Sequence, residues 1–275
     1  MRPGAVTETT LAAPAKLTLS LRVTGVRADG YHLLDAEMVS IDLADSLRFR
    51  PGSGISVVDE VVGGMGVAAV PAGADNLVQR ALTALDRQAA VRIVKRIPAG
   101  AGLGGGSTDA AAVLRWAGCD DLALAAGLGS DVPFCVRGGR ARVSAGGEVL
   151  EALPFEDRTF VLVLPPLAVD TGAVYGAWDA RQAGGGGPGD EGGMDGDGGN
   201  DLERAALDVV PALGAWRDAM ATATGCRPRL AGSGSAWFVE GSPDALGLPG
   251  RDTLVVAGER APLVVVRTVP GEDVG

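Results

Sequence analysis

The sequence predicts an α/β (α+β) chain of two domains, residues 1–155 and 156–275, and three observations lead there. Its 275 residues exceed what one small core needs. Strand-like and helix-like patterns alternate through the first half. In the second half a strand, helical runs and two later strands succeed one another as they do in α+β domains.

Taken in order, LTLSLRV (17–23) and SLRFRP (46–51) alternate apolar and polar residues, the period of half-buried strands. DNLVQRALTALDRQ (75–88) opens on an Asp/Asn cap and repeats apolar residues at Leu77, Val78, Ala81, Leu82 and Leu85, which is helical spacing. VRIVKRI (91–97) reads as a strand that Pro98 ends. A loop with glycine at 100, 102, 104, 105 and 106 follows, and STDAAAVLRWA (107–117) is the helix it feeds, with Ser107 as its N-cap. LALAAGL (122–128) is a short helix, Pro133 stands near the start of another element, and ARV (141–143) opens a hairpin. TFVLVLPP (159–166) is a strand ended by two prolines, and AVYGAWDA (173–180) is a short helix. Residues 183–200, AGGGGPGDEGGMDGDGGN, lack the apolar content to offset the entropy of ordering them and read as a flexible loop. Helix PALGAWRDAMATAT (211–224) and strands SAWFVE (235–240) and PLVVVRTV (262–269) complete the chain.

Composition removes whole classes of function. A hydrophobic fraction of 47% with 4% aromatic residues is that of a folded globular protein. The net charge of −10 argues against nucleic acid, whose phosphates require a basic face. No run reaches the roughly 18 apolar residues of a spanning helix, and MRPGAVTETTLAAPAKLTL is polar where a signal peptide is apolar, so a cytoplasmic protein without a membrane partner is expected. Cys119, Cys135 and Cys226 are odd in number and lack metal-ligand spacing; they read as buried small hydrophobes. His32 is the sole histidine, which excludes a zinc site of two or more histidines. Asp195 and Asp197 fail the spacing of a calcium loop. Among 24 basic residues only Lys16 and Lys95 are lysines, which points either to coding bias or to places where a compact, rotatable charge fits and a planar fork does not.

Glycines ahead of a helix let backbone N–H groups approach an anion that the helix dipole already favours. A Walker A loop would need Lys after Gly106, where Ser107 stands. The dinucleotide pattern GxGxxG fits Gly100, Gly102 and Gly105, with Asp120 and Asp121 near the offset of a ribose-binding acid. Pro98 nevertheless parts strand from loop, and extra glycines delay the helix.

PAGAGLGGGSTDAA (98–111) resembles instead the phosphate loop of the GHMP kinases, named for galactokinase, homoserine kinase, mevalonate kinase and phosphomevalonate kinase. PAKLTL (14–19), TGVRADGYHLL (24–34), DNLV (75–78), KRIPAGAGLGGGST (95–108), LGSDVPFCVRGG (128–139) and LAGSGSAWF (230–238) resemble, in that order, the branch acting on a cytidine-diphosphate-linked methylerythritol. These segments cover the N-terminal half well and the C-terminal half sparsely.

The resemblance implies a two-domain GHMP kinase fold, ribosomal-protein-like in the N-terminal domain and ferredoxin-like in the C-terminal one, with the active site between them. It implies transfer of the ATP γ-phosphate, with Mg2+, to the tertiary 2-hydroxyl of 4-diphosphocytidyl-2-C-methyl-D-erythritol in the non-mevalonate isoprenoid route. Asp131 matches the family's catalytic aspartate and Lys16 its catalytic lysine, although Asp131 by itself also reads as a helix cap. Gly100, Gly102, Gly104, Gly105, Gly106, Ser107, Thr108 and Pro98 match the ATP phosphate cradle, and Asn76 and Lys95 match its nucleotide side; Asn76 also reads as a cap. Tyr31, His32 and Tyr175 match the residues that hold the cytidine. Thr18 replaces an asparagine that contacts substrate, so a weaker or water-bridged contact is expected there. The segment before GSDVP is shorter than in the family, and the loop 183–200 is unfamiliar. Two other readings stay open: another GHMP small-molecule kinase, of homoserine or mevalonate type, and an inactive nucleotide-binding regulator on the same fold. Magnesium ligands and oligomeric state are left open.

Overall fold

The computed structural model describes residues 8–62, 73, 75–184 and 199–271. The expected flexible loop lies outside them over residues 185–198, as do Asp195, Asp197 and the first seven residues.

Two long strands organise the first half. β1 (Thr9–Val26) and β2 (His32–Arg50) pair antiparallel along nearly their whole length, far beyond the two short strands that alternation alone predicts. Three register shifts interrupt the pairing, at Pro14/Lys16, Thr18/Ser20 and Val23/Gly25, and each resets which face a side chain meets. β3 (Gly54–Asp59), β4 (Ala90–Lys95), β5 (Arg140–Ala145) and β6 (Val149–Ala152) extend the sheet in the order β3-β4-β2-β5-β6, with β1 also on β2. Only β3 and β4 run parallel, so the sheet is not the parallel one a dinucleotide-binding βαβ unit requires.

Helices α1 (Leu77–Ala84), α2 (Gly105–Trp116), α3 (Leu122–Leu128) and α4 (Val132–Arg137) pack with this sheet. Residues 110–114 of α2 are all fully buried, which explains its alanines: a helix enclosed on every side has room for little else. Its start corrects the sequence reading. The cap is Gly104, in the left-handed region at φ 70°, and Ser107 lies inside the first turn.

The second sheet comprises β7 (Thr159–Val163), β8 (Arg229–Leu230), β9 (Trp237–Glu240), β10 (Thr253–Val256) and β11 (Glu259–Arg267), ordered β10-β11-β7-β9-β8 and antiparallel throughout. Without the edge strand β10, the order is fourth-first-third-second, the ferredoxin-like arrangement. α5 (Thr171–Ala183), α6 (Glu203–Val209) and α7 (Leu213–Thr224) connect β7 to β8. α6, β3, β8 and β10 were not expected; each is at most seven residues long, too short for a period to stand out.

The two sheets share a core. Leu17, Val39 and Ile41 of the first pack in one cluster with Phe160, Leu162, Phe238 and Val266 of the second, and Ile41 forms a lone bridge with Thr268. The cysteine expectation holds only in part: Cys135 is buried, but Cys119 is half-buried and Cys226, in the turn after α7, is exposed; none is disulfide-bonded. Phe238 is fully buried and meets Phe160 edge-on at 5.8 Å. Phe238→Ala should cost about 3–5 kcal/mol in urea denaturation, and because its cluster spans both sheets the loss should appear in one cooperative transition; separate transitions would show that the halves unfold independently.

Candidate active site

The approach to the glycine loop is fixed by a buried charge cluster. Alternation along β4 puts Lys95 on the same face as Val91 and Ile93, so its ammonium ends inside the protein, 3% exposed. There it meets Asp45 of β2 and, at 2.7 Å, Asp109 of α2. Asp45 uses its second oxygen to accept the N–H groups of Arg96 and Ile97, pinning the turn into the loop. Burial would lower the Lys95 pKa, but the Asp109 and Asp45 charges outweigh it and hold the ammonium charged. Burial pushes the Asp109 carboxyl up, against the pull of Lys95 and with Asp45 adding to the rise.

The loop itself is clamped by its neighbours. Ser235 and Ala236 donate backbone N–H groups to the carbonyls of Gly100 and Ala101 at 3.0 and 3.2 Å, and Lys16 donates its N–H to Leu103 at 3.1 Å. A Cβ at Gly102, where φ is +76°, would lie 1.9 Å from the Ala231 carbonyl oxygen. One at Gly104 would lie 2.8 Å from Cγ of Lys16. Gly106 is different, since a Cβ there would meet only Leu77 at an ordinary 3.5 Å.

Lys16 crosses Gly104 and ends between two partners. Its Nζ donates to the Thr18 hydroxyl at 3.1 Å and lies 3.2 Å from Oδ2 of Asp131. Asp131 occupies the N-cap position of α4, yet its carboxylate makes no capping bond. The carboxylate is turned to Lys16 instead of capping the helix. One turn on, burial with the Asp131 charge added pushes the Cys135 thiol up to about 12, so it is an inert neighbour.

The DGYH segment lies where β1 turns into β2. The Tyr31 hydroxyl donates to the Gly146 carbonyl at 3.3 Å, and the same hairpin turn presses on the segment before Asp131: a Cβ at Gly147 would sit 2.1 Å from the Ser130 carbonyl oxygen. His32 packs against Tyr175 of α5 with ring centroids 4.5 Å apart, and edge-on to Trp178 at 5.6 Å. Burial, with the charges of Asp131 and Tyr31 added, pushes the Tyr175 phenol up.

One cleft of about 520 Å³ gathers most of the expected residues. Lys16, Asn76, Lys95, Pro98, the five glycines, Ser107, Asp131 and Tyr175 all line it, facing Thr171 and Gly232–Gly234 from the second half. Asn76 caps α1 through Val78 N–H at 2.8 Å and also lines the cleft. Tyr31 and His32 are not on the cleft wall: His32 packs against Tyr175, which is, and Tyr31 bonds to the hairpin turn at Gly146. Two threonines stand off it as well. Thr108 is fully buried and donates to the Pro14 carbonyl at 2.6 Å, so it staples α2 to β1 instead of facing a phosphate. Thr18, 2% exposed, holds Lys16 and is not on the cleft wall. Sequence reasoning missed Asp45 and Asp109, and also Asn200, whose amide donates to the carbonyls of Leu230 and Gly232 and so holds the segment facing the glycines. The one available cue was Lys95 on an apolar strand face, which demands a buried acid.

Gly102→Ala should therefore lose folded protein in a thermal melt, since both the left-handed backbone and the Ala231 carbonyl oppose a side chain, while Gly106→Ala should melt as the parent does. Equal melting temperatures for all three would refute the packing role of Gly102.

Residues 76–139 match the family described as the GHMP kinases N terminal domain. The chain is 36% identical over 248 residues to the 4-diphosphocytidyl-2-C-methyl-D-erythritol kinase of Cereibacter sphaeroides, covering 82% of this chain and 87% of that one. It is 35% identical over 257 residues to the enzyme of the same name from Paramagnetospirillum magneticum, covering 85% and 89%. The crystal structure of a 4-(cytidine 5'-diphospho)-2C-methyl-D-erythritol kinase superposes with a TM-score of 0.64 at 33% identity, covering 95% of this chain and 100% of the other. With the glycine cradle, the Lys16–Asp131 pair and identity at this level over most of its length, the chain belongs to the 4-diphosphocytidyl-2-C-methyl-D-erythritol kinase family of the GHMP kinases.

Proposed function

We propose that the chain transfers the γ-phosphoryl group of ATP to the 2-hydroxyl of 4-diphosphocytidyl-2-C-methyl-D-erythritol, a step of the non-mevalonate isoprenoid route. The observation that carries this is the Lys16–Asp131 pair at 3.2 Å in the cleft whose wall is the glycine loop and whose lining also includes Tyr175. Phosphoryl transfer asks for positioning and for charge on the transferring oxygens more than for covalent chemistry. Asp131 accepts the proton as the substrate oxygen bonds to the γ-phosphorus and the bond to the β-phosphate oxygen breaks, releasing ADP. The Lys16 ammonium, fixed by Thr18 and Asp131, steadies the charge that develops. The start of α2 and the glycines at 100, 105 and 106 take the phosphates, while Asn76 lies on the nucleotide side. Tyr31, His32 and Tyr175 hold the cytosine.

Among the described residues no group of three or more His, Cys, Asp or Glu could hold a metal alone. Magnesium brought with ATP needs only one or two protein oxygens beside the phosphates, and the chemistry of Ser107 and of the unpaired Asp109 Oδ1, both from cleft-lining residues, fits that need. Bound there, the ion would neutralise phosphate charge. No helix among the described residues is long and apolar enough to cross a membrane.

The DGYH and Tyr175 end of the site favours this reading over a kinase of homoserine or mevalonate, which have no cytosine to hold. Cytidine diphosphate should compete with substrate at sub-millimolar to millimolar concentration, and no inhibition in that range would count against a cytidine subsite. Asp131→Asn should lower turnover by about 10²–10⁴-fold with ATP binding largely retained. Lys16→Arg should fail as well, because its fork cannot sit as a point charge. Near-normal turnover in either variant would remove that residue from the mechanism, and ATP consumption by the parent with the proposed substrate would exclude an inactive regulator.

A further inference from the structure

Residues 175 and 179 of α5 lie four apart, on one face of the helix, and Trp178 flanks them. That face meets the single histidine. Tyr175 lies against the ring at a 35° tilt and Trp178 abuts it edge-on, while Oδ1 of Asp179 lies 2.8 Å from Nε2 of His32. The two aromatics confine the ring, whose side chain is 12% exposed. Which nitrogen carries the proton is then set by the third partner.

An ionised carboxylate can only accept, so the contact requires the proton to be on Nε2 of His32. In the neutral ring Nδ1 is then a bare lone pair, and it has no hydrogen-bond partner among the described residues. A bare acceptor can take a hydrogen bond from the exocyclic amino group of cytosine. It cannot take one from uracil, which carries an acceptor oxygen at that position. Two acceptors held face to face away from water leave both unpaired, which is how a hydrogen-bonding site rejects the wrong analogue.

We infer that Asp179 is a positioning residue that holds His32 as the Nε2–H tautomer and thereby makes the site select cytosine over uracil; this rests on the reading of His32 and Tyr175 as residues that hold the cytidine. Asp179 touches neither the reacting hydroxyl nor the phosphates. Its removal should therefore alter base discrimination and leave the chemical step alone.

The test uses the full chain and compares inhibition by cytidine diphosphate and uridine diphosphate in the parent, Asp179→Ala and Asp179→Asn. Asp179 is half exposed, so both variants should fold, and thermal melts check this. The parent should bind cytidine diphosphate the more tightly. In Asp179→Ala that preference should fall about 10-fold, with KM for substrate raised and kcat within about threefold of the parent. Asp179→Asn, whose amide oxygen can still accept from Nε2, should keep an intermediate preference. An unchanged preference in Asp179→Ala, or equal loss of both nucleotides as a merely structural role would give, overturns the inference while the cytidine subsite stands. No inhibition of the parent by either nucleotide overturns the subsite and the inference together. With one histidine in the chain, its imidazole ¹⁵N spectrum is unambiguous. With the ring neutral, Nε2 should carry the proton, and protonation at Nδ1 would refute the assignment whatever the substrate.

Discussion

Between Gly102 and the carbonyl oxygen of Ala231 there is no room for a carbon atom, and much of the site depends on that contact. The glycine loop lies between the segment 231–236 on one side and Lys16 on the other, with backbone hydrogen bonds to both. Because the first comes from the second half of the chain and Lys16 from β1, the loop joins the two sheets where their shared core reaches the cleft. The cleft wall at the loop is therefore built by both halves. The glycines divide accordingly: 102 and 104 are glycine because neighbours occupy their side-chain space, whereas 106 has ordinary room and owes its glycine to something other than packing.

The same economy of space governs charge. In this acidic chain the cations among the described residues that line the cleft are its two lysines, Lys16 and Lys95. Each is at least 95% buried, and each ammonium is divided among partners from different elements. Lys95 is held by two carboxylates and has little charge left to offer; its work is to draw β2, β4 and α2 together beneath the loop. Lys16 faces one carboxylate and a neutral hydroxyl, so its charge is the less compensated of the two and the better placed for chemistry.

Much of this was legible in the sequence, for reasons that can be named. That the glycine loop, Lys16 and Asp131 share one cleft was legible because short motifs carry their geometry with them: a glycine run before a helix, a lysine in a strand, an Asp before Val-Pro. What could not be read were pairings across long separations. Nothing local joins Asp45 to Lys95 or Asp179 to His32, 147 residues apart. The misplaced cap of α2 has a local cause, since Ser107 is the stronger capping residue by type, but the helix already starts three residues earlier, where Gly104 takes the left-handed turn and leaves room for Lys16 to pass. Thr108 was misjudged because a motif gives the order of residues and not which way each side chain leaves the helix.

Lysine, and not arginine, fits the contacts at both positions. A guanidinium spreads its donors over a plane and asks for a flat partner. At position 95 the two carboxylates come from different elements and converge on one point, and a Cβ at Gly105 would already lie 3.2 Å from Nζ. At position 16 the chain must first slip past Gly104, within 2.8 Å of where a Cβ would stand, and Nζ then comes within 3.2 Å of the corresponding position at Gly232. A broader head group would have to displace backbone at one of these glycines. The backbone that would move is the phosphate loop or the segment facing it, so the cost of the exchange would fall on the site itself.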